Sequence, residues 1–146
     1  MHDADLAPDD ALLKSLRAMP KVVLHDHLDG GLRVPTLIEL LRQRGLALPA
    51  PDRAGVQAWF QQHAHAGSLA AYLEGFGLTV AAMATPQALA RVAFEAAEDA
   101  RADGAVLAEF RIAPLLFERH GLSGDAAVEA LLEGLARSAL HSGLIV

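Results

Sequence analysis

Two histidines and an aspartate lie close together near the start of the chain, with residue types and spacing that suit metal chemistry. His25, His27 and Asp29 follow the short run 22–24, whose β-branched and apolar character is typical of a strand. Because side chains alternate along a strand, the three polar side chains are predicted to lie on one face. Two imidazoles at this spacing can bind a single metal ion, with the carboxylate pointing into the same space.

The position of the pair strengthens this interpretation. A His-x-His pair alone is a weak signal, and single histidines are usually surface or satisfied core residues. Here Gly30 and Gly31 follow the polar residues directly and predict a turn. The pair would then lie at the carboxyl end of a strand, where parallel α/β folds bind ligands. A metal or active-site role is favoured.

Composition limits the classes of function that the chain can carry. The sequence has 146 residues, 53% of them hydrophobic, and a net charge of −6. It can form a core, and its acidic balance argues against binding to nucleic acid. Cysteine is absent, which excludes a disulfide framework and leaves His and carboxylate ligands for any zinc ion. We expect no signal peptide, no membrane partner and a cytoplasmic location.

Apolar periodicity along the chain predicts a series of helices. The polar residues 1–10 are predicted to be frayed. Helices are predicted over residues 11–19, for about ten residues from Pro35, over 54–83 with a break near Gly67 and Ser68, over 87–103, and from Ser123 or Asp125 to about Ser142. Residues 115–122 are predicted to form a loop.

Two further strands complete the pattern. The segment 105–114 predicts the second strand, and residues 144–146 predict the opening of a third. Glu109 and Arg111 share a face of the second strand. Because charges inside a parallel sheet need partners, we expect them to join an ion-pair or hydrogen-bond network around the site.

The broken helix over 54–83 carries two features that bear on function. The apolar stripe in its second half, which ends at Phe76, fits core packing or a hydrophobic lid over a nearby site. In its first half, His63 and His65 stand two residues apart. Helix positions i and i+2 do not face each other, so both histidines are predicted to be surface residues.

The order of elements predicts the fold class. Strand, long helical excursion, strand, helix and strand give an α/β fold with a parallel sheet and right-handed crossovers. A (β/α)8 TIM barrel takes about 250 residues, so residues 1–146 are interpreted as the incomplete N-terminal segment of one barrel domain. A small parallel sheet leaves open edges and uncovered apolar faces. We therefore expect the chain to self-associate or to need the missing part of the barrel.

Three stretches of the sequence resemble the adenosine deaminase family of amidohydrolase-like TIM barrels. Residues 19–33, with the sequence MPKVVLHDHLDGGLR, are similar to the first strand of that family. Residues 68–76 resemble its substrate-gating helix, and residues 104–114 resemble its second strand. The resemblance implies a metal-dependent hydrolase that uses zinc to convert adenosine, a purine nucleoside, to inosine.

The resemblance also implies roles for individual residues. His25 and His27 would be zinc ligands. Asp29 would bind the ribose end of the nucleoside, with His27 also near the substrate. Three residues would line the hydrophobic gate: Tyr72, Leu73 and Phe76.

The rest of the active site of that family lies on later strands. Its remaining zinc ligands and its catalytic Glu, His and Asp have no counterparts within residues 1–146, so the chain is expected to be inactive alone. Two alternatives stay open: a deaminase of adenine or of a modified purine nucleoside, and a non-catalytic barrel fragment that acts only through self-association. The zinc nucleobase deaminases with cysteine ligands are excluded, since the chain has no cysteine.

Overall fold

Six α-helices, three strands and one 3₁₀ helix make up the part of the chain that the computed structural model describes, residues 10–65 and 67–146. The helices are α1 (Asp10–Ala18), α2 (Val34–Gln43), α3 (Arg53–Ala64), α4 (Leu69–Met83), α5 (Pro86–Ala102) and α6 (Gly124–Ala136). The strands are β1 (Lys21–His27), β2 (Ala105–Arg111) and β3 (His141–Ile145), and the 3₁₀ helix is Pro114–His120. The prediction of a frayed start falls, apart from Asp10, outside the described residues.

The strands form one parallel sheet in the order β1-β2-β3. His27 lies opposite Arg111, and Arg111 lies opposite Ile145 on its other side. The carboxyl ends of all three strands therefore meet at one edge of the sheet. The predicted α/β order with parallel strands is confirmed.

Side-chain caps mark the starts of helices α5 and α6. The Ala88 N–H donates to the Thr85 hydroxyl at 3.2 Å, and the Ala126 N–H donates to the Ser123 hydroxyl at 3.3 Å. Pro86 follows Thr85 as the first residue of α5, a position where proline's missing N–H has no helical partner to lose. These caps fix where the two helices start against the sheet.

Removal of the α5 cap should weaken the fold measurably. We expect Thr85→Ala to lower the free energy of unfolding by about 1 kcal/mol, because the Ala88 N–H loses its side-chain acceptor. Thr85→Ser keeps the hydroxyl, so its free energy of unfolding should fall by less than about half as much as that of Thr85→Ala. Denaturant unfolding followed by circular dichroism measures both variants, and an equal loss in the two would contradict a capping role.

A buried apolar cluster joins the sheet to the helices that pack on it. Its largest fully buried side chains are Phe110, Phe117, Leu28, Leu41, Met83, Leu89, Leu131, Val56 and Val80. Leu28 directly follows β1, and its N–H donates to the Arg111 carbonyl at 3.0 Å. The core therefore anchors the chain immediately beyond the histidine pair, which fixes the end of β1.

The predicted loop over 115–122 is wrong, because the 3₁₀ helix occupies most of that segment. Phe117 is fully buried and holds the segment against the core. Gly121 ends the helix with a φ of +83°, a left-handed conformation that glycine adopts without strain. The Gly121 N–H donates to the Glu118 carbonyl at 2.9 Å.

The predicted boundary between α6 and β3 is also wrong. α6 ends at Ala136 rather than near Ser142, and β3 begins at His141 rather than at residue 144. The Ser138 hydroxyl donates to Glu98 Oε1 at 2.7 Å and accepts from the Leu140 N–H at 3.1 Å. These bonds close a turn after the helix, and pairing with β2 recruits the residues that follow.

One face of the sheet is open within the described part of the chain. Val22 and Leu24 on β1 are 54% and 63% exposed, although they are apolar residues of a strand. Such exposure is unusual for a parallel sheet, whose faces are normally both covered.

Among the described residues, no helix is long and apolar enough to cross a bilayer.

Candidate metal and substrate site

The histidine pair lies at an irregular end of β1. The pairing register with β2 shifts between Val23 and Asp26, and His25 has a φ of +60°, a left-handed conformation that residues other than glycine rarely adopt. The ring centroids of His25 and His27 lie 5.4 Å apart. The two imidazoles are thus close neighbours, as predicted, although the strand that carries them is irregular between Val23 and Asp26.

Asp29 is placed by a turn and not by the strand. β1 ends at His27, and the Gly30 N–H closes the turn by donating to the His27 carbonyl at 2.9 Å. The prediction that strand alternation orients Asp29 is therefore wrong. The turn nonetheless brings the two side chains together, with Asp29 Oδ1 lying 3.6 Å from His27 Nδ1.

The Asp29 carboxylate is the one buried acidic group at this end of the sheet among the described residues. The residue is 4% exposed, and Oδ1 has no hydrogen-bond partner within the described part of the chain. Burial raises the pKa of Asp29 above its ordinary value of 3.8, while its own backbone N–H and His27 oppose that rise. A buried acceptor without a donor is poised to receive a hydrogen bond from a ligand.

The raised pKa predicts a pH dependence of stability for the metal-free chain. The Asp29 carboxyl has a pKa of about 3.8 in the unfolded chain and a higher pKa in the folded chain. Between these two pH values the folded state binds more protons than the unfolded state, so the free energy of unfolding falls as pH rises. Asp29→Asn removes the titration, so we expect its stability relative to the wild type to be greater at about pH 7 than at about pH 3. Unfolding in the presence of a chelator tests this. The same difference at both pH values would contradict it.

The predicted gate residues on α4 face the same space. Tyr72 and Leu73 are 43% and 50% exposed, and the Tyr72 and Phe76 rings meet edge to face at 5.2 Å. This exposure argues against simple core packing of the stripe. A cavity of about 620 Å³ is lined by all six predicted site residues: His25, His27, Asp29, Tyr72, Leu73 and Phe76.

The residues at this cavity match a zinc site only in part. Two imidazoles suit zinc, but a catalytic zinc normally takes three protein ligands. No group of three or more His, Cys, Asp or Glu residues suited to a metal occurs among residues 10–65 and 67–146. His141 is the first residue of β3. It therefore lies at the amino end of that strand, away from the carboxyl end of β1 that carries the histidine pair. The described residues therefore supply two metal ligands and not a complete set.

Glu109 and Arg111 were expected to join an ion-pair or hydrogen-bond network around the site, and the described residues form no such network with them. Both side chains are half-buried, yet neither forms an ion pair with a described residue. Arg111 lines the 620 Å³ cavity beside the histidines. Its charge is thus available to a group outside the described part of the chain.

His63 is a site residue that the sequence prediction missed. Its side chain is 21% exposed, and it lines a second cavity of about 170 Å³ together with Asp29, so the surface prediction is wrong. The prediction for His65 is confirmed, since His65 is exposed. A signal was present in the sequence: Trp59 precedes His63 by four residues, and side chains at that spacing meet on a helix.

Comparison with known protein sequences gives a consistent result. A family model described as adenosine deaminase matches residues 20–146. An adenosine deaminase from Mycobacterium ulcerans (strain Agy99) is 48% identical to this chain over 129 residues, which are 88% of this chain and 36% of the relative. The chain thus spans about a third of the length of the curated relatives it matches.

Solved structures agree with the sequence relatives. An amidohydrolase from Burkholderia ambifaria with bound Zn gives a TM-score of 0.80 at 27% identity, over 98% of this chain and 39% of that chain. The N6-mAMP deaminase of Arabidopsis gives a TM-score of 0.72 at 25% identity, over 90% of this chain and 41% of that chain.

The partial coverage of these barrels confirms that the fold is the N-terminal portion of a (β/α)8 barrel. The matched segment includes β1, α4 and β2, which contain the three stretches whose resemblance the sequence suggested. With a family match over nearly the whole described chain and close to half of the aligned residues identical to a curated relative, the chain belongs to the adenosine deaminase family.

Proposed function

We propose that the protein carrying this chain is a zinc-dependent hydrolase that deaminates adenosine to inosine. The observation that carries the proposal is the cavity at the carboxyl end of β1, where the histidine pair, the buried Asp29 carboxylate and the aromatic wall of α4 meet. Family membership supports the reaction class, and a solved relative with bound Zn supports the metal.

The proposal assigns a role to each predicted site residue. His25 and His27 would hold the zinc ion, which when bound makes hydroxide available from water near neutral pH. The Oδ1 atom of Asp29, which has no hydrogen-bond partner among the described residues, would accept a hydrogen bond from a ribose hydroxyl, with His27 close by. Three α4 residues would cover the purine and exclude water: Tyr72, Leu73 and Phe76.

The chain would contribute only part of the catalytic centre. Two histidines leave the zinc short of protein ligands, so the remaining ligands and the proton-transfer groups would come from the rest of the barrel. We propose that residues 1–146 are an incomplete segment of one barrel domain, inactive alone. The exposed Val22 and Leu24 would then be covered by later strands or by a second copy. The cytoplasmic location stays a prediction.

A related substrate is the second candidate. The Arabidopsis relative is named for N6-mAMP, which is a modified purine nucleotide. The same zinc ligands and gate residues would also suit a deaminase that acts on a modified purine nucleoside or on adenine. The buried Asp29 carboxylate favours a nucleoside, because it offers an acceptor to a ribose hydroxyl. A non-catalytic fragment that only self-associates would have no use for that buried acceptor.

A chimera tests the proposal directly. Residues 20–146 of this chain would replace the matching N-terminal segment of the Mycobacterium ulcerans relative, and loss of adenosine would be followed by ultraviolet absorbance with and without added zinc. We expect zinc-dependent conversion to inosine by the chimera and none by the 146-residue chain alone. A folded chimera that binds zinc but leaves adenosine unchanged would contradict the proposal.

The substrate alternatives are separated in the same assay. Adenosine, N6-methyladenosine and adenine would be compared by kcat/KM, and adenosine should be preferred. Activity of the isolated chain, with its mass confirmed, would instead mean that copies of the chain complete the site together, and analytical ultracentrifugation would then show the oligomer.

A further inference from the structure

Three nitrogen-bearing side chains lie near one another outside the two cavities. Arg119 and His120 are the last two residues of the 3₁₀ helix, and Arg44 caps the carboxyl end of α2. None of the three lines the 620 Å³ cavity or the 170 Å³ cavity. We refer to these three residues as the basic cluster, which the proposed function does not use.

A hydrogen bond within the basic cluster decides where the proton of His120 lies. Arg119 Nε lies 3.2 Å from His120 Nε2. An arginine side chain can only donate, so His120 Nε2 accepts, and the neutral ring carries its proton on Nδ1. The other side of the His120 ring therefore presents an N–H donor.

Arg44 brings a second guanidinium to the same region. Its Nη1 donates to the Ala84 carbonyl at 2.9 Å, which joins the end of α2 to the residue that follows α4. Burial, the charge of Arg119 and the charge of Arg44 lower the pKa of His120 below its ordinary value of 6.5. Arg44 is thus near enough for its charge to act on the imidazole.

No described carboxylate balances the two guanidiniums of the basic cluster. Three other arginines of the chain form close ion pairs: Arg33, Arg91 and Arg101. Neither guanidinium of the basic cluster has such a partner among the described residues. Glu118 precedes Arg119 in the sequence, but its side chain is exposed and pairs with neither of them. Two like charges without a counter-ion repel each other, so a bound anion would relieve the repulsion.

The basic cluster also offers several hydrogen-bond donors that no described residue uses. They are the terminal N–H groups of Arg119, the Nη2 group of Arg44 and the Nδ1–H group of His120. The one acceptor of the cluster, His120 Nε2, already receives a bond from Arg119. Guanidinium groups bind the oxygens of phosphate and carboxylate groups well, and a phosphate has enough oxygens for three separate donor groups.

We propose that the basic cluster is a binding site for the oxyanion of a phosphate group, either free phosphate or the phosphate of a small ester. The net charge of −6 argues against nucleic acid as the source of the phosphate. The proposal goes beyond the proposed function and does not depend on it.

A phosphate held by both guanidiniums would connect the 3₁₀ helix to the residue that follows α4. Both elements contribute walls of the larger cavity, through Leu116 of the 3₁₀ helix and Tyr72 of α4. The proposed site would therefore lie beside these walls without entering the cavity. Because only the folded chain brings the three side chains together, phosphate should stabilise it.

Binding of inorganic phosphate to the 146-residue chain and to the chimera tests the proposal. Calorimetry gives Kd and thermal unfolding gives Tm, with chloride at the same ionic strength as the reference. Arg119→Gln removes one guanidinium at an exposed position, and Arg44→Gln removes the other. Arg42→Gln is the matched control, since Arg42 is exposed on α2 and its charge is not among those that act on His120.

We expect Arg119→Gln and Arg44→Gln each to raise the Kd for phosphate about tenfold, and Arg42→Gln to leave it unchanged. Phosphate should raise the Tm of the wild type and of Arg42→Gln, and it should raise that of Arg119→Gln less. Ribose 5-phosphate separates the two sources of the anion. Tighter binding than that of inorganic phosphate would identify a phosphate ester, and equal or weaker binding would identify free phosphate.

Three results would overturn the proposal. One is equal phosphate affinity in the wild type and a folded Arg119→Gln variant, which decides the matter even where Arg44→Gln fails to fold. Another is an effect of phosphate no greater than that of chloride. The third is binding to the 146-residue chain that is lost in a folded chimera, because the rest of the barrel would then supply the missing acceptor. The deamination assay on the chimera judges the proposed function separately.

Discussion

Replacing Gly134 by alanine is expected to destabilise the chain by about 3 kcal/mol, the largest single effect on stability that we predict. A Cβ atom at this position would collide with the Ala90 carbonyl oxygen and would lie 2.8 Å from the Ala90 Cα and carbonyl carbon. These are backbone atoms of α5, so no side chain can rotate away. The two helices would have to separate, which would loosen their packing on β2 and β3.

Gly77 provides a matched control for this prediction. It also lies within a helix, α4, but a Cβ there would meet nothing within 4 Å. Gly77→Ala should therefore be neutral or stabilising by about 0.5–1 kcal/mol, because alanine favours helix more than glycine does. Denaturant unfolding of both variants measures the difference. Two similar changes in stability would show that α5 and α6 are not in close contact at Gly134.

Replacing His25 by alanine is expected to remove zinc from the assembled site. In the chimera described above, the wild-type sequence should retain about one zinc ion per molecule. His25→Ala leaves His27 as the one imidazole at the end of β1, and we expect zinc affinity to fall by at least about 100-fold. Under the proposed function, deamination of adenosine should fall with it, because bound zinc would make hydroxide available from water.

His65→Ala is the matched control for His25→Ala. His65 is exposed on α3 and lines neither of the two cavities, so its loss should leave zinc content and activity unchanged. Metal content would be measured by mass spectrometry after treatment with a weak chelator, and folding by circular dichroism. A folded His25→Ala chimera that still retains its zinc would show that His25 is not a ligand.

Local patterns in the sequence were sufficient for most of the secondary structure and for the outline of the site. Apolar periodicity predicted the helices up to α5, and the β-branched run before His25 predicted β1, because both patterns depend on neighbours within a few residues. The resemblance then named six site residues, and all of them line one cavity. Their chemical roles stay predictions.

Contacts between distant segments decided the features that the sequence could not predict. The apolar spacing of α6 continued to Leu140, yet α6 ends at Ala136 because Ser138 bonds Glu98, forty residues earlier, and because β2 recruits the next residues into β3. Periodicity describes one face of one element, so it carries no information about which strand will compete for a segment.

The site shows the same division between local pattern and tertiary packing. By itself, the sequence determined that two histidines end a strand at the ligand-binding edge of a parallel sheet, since residue type and spacing are enough for that. Only the tertiary structure decided that Asp29 is buried with no hydrogen bond to its Oδ1 from the described residues, and that His63 lines a cavity beside it. Burial depends on how α3, α4 and the turn after β1 pack together, and those segments meet only in the folded chain.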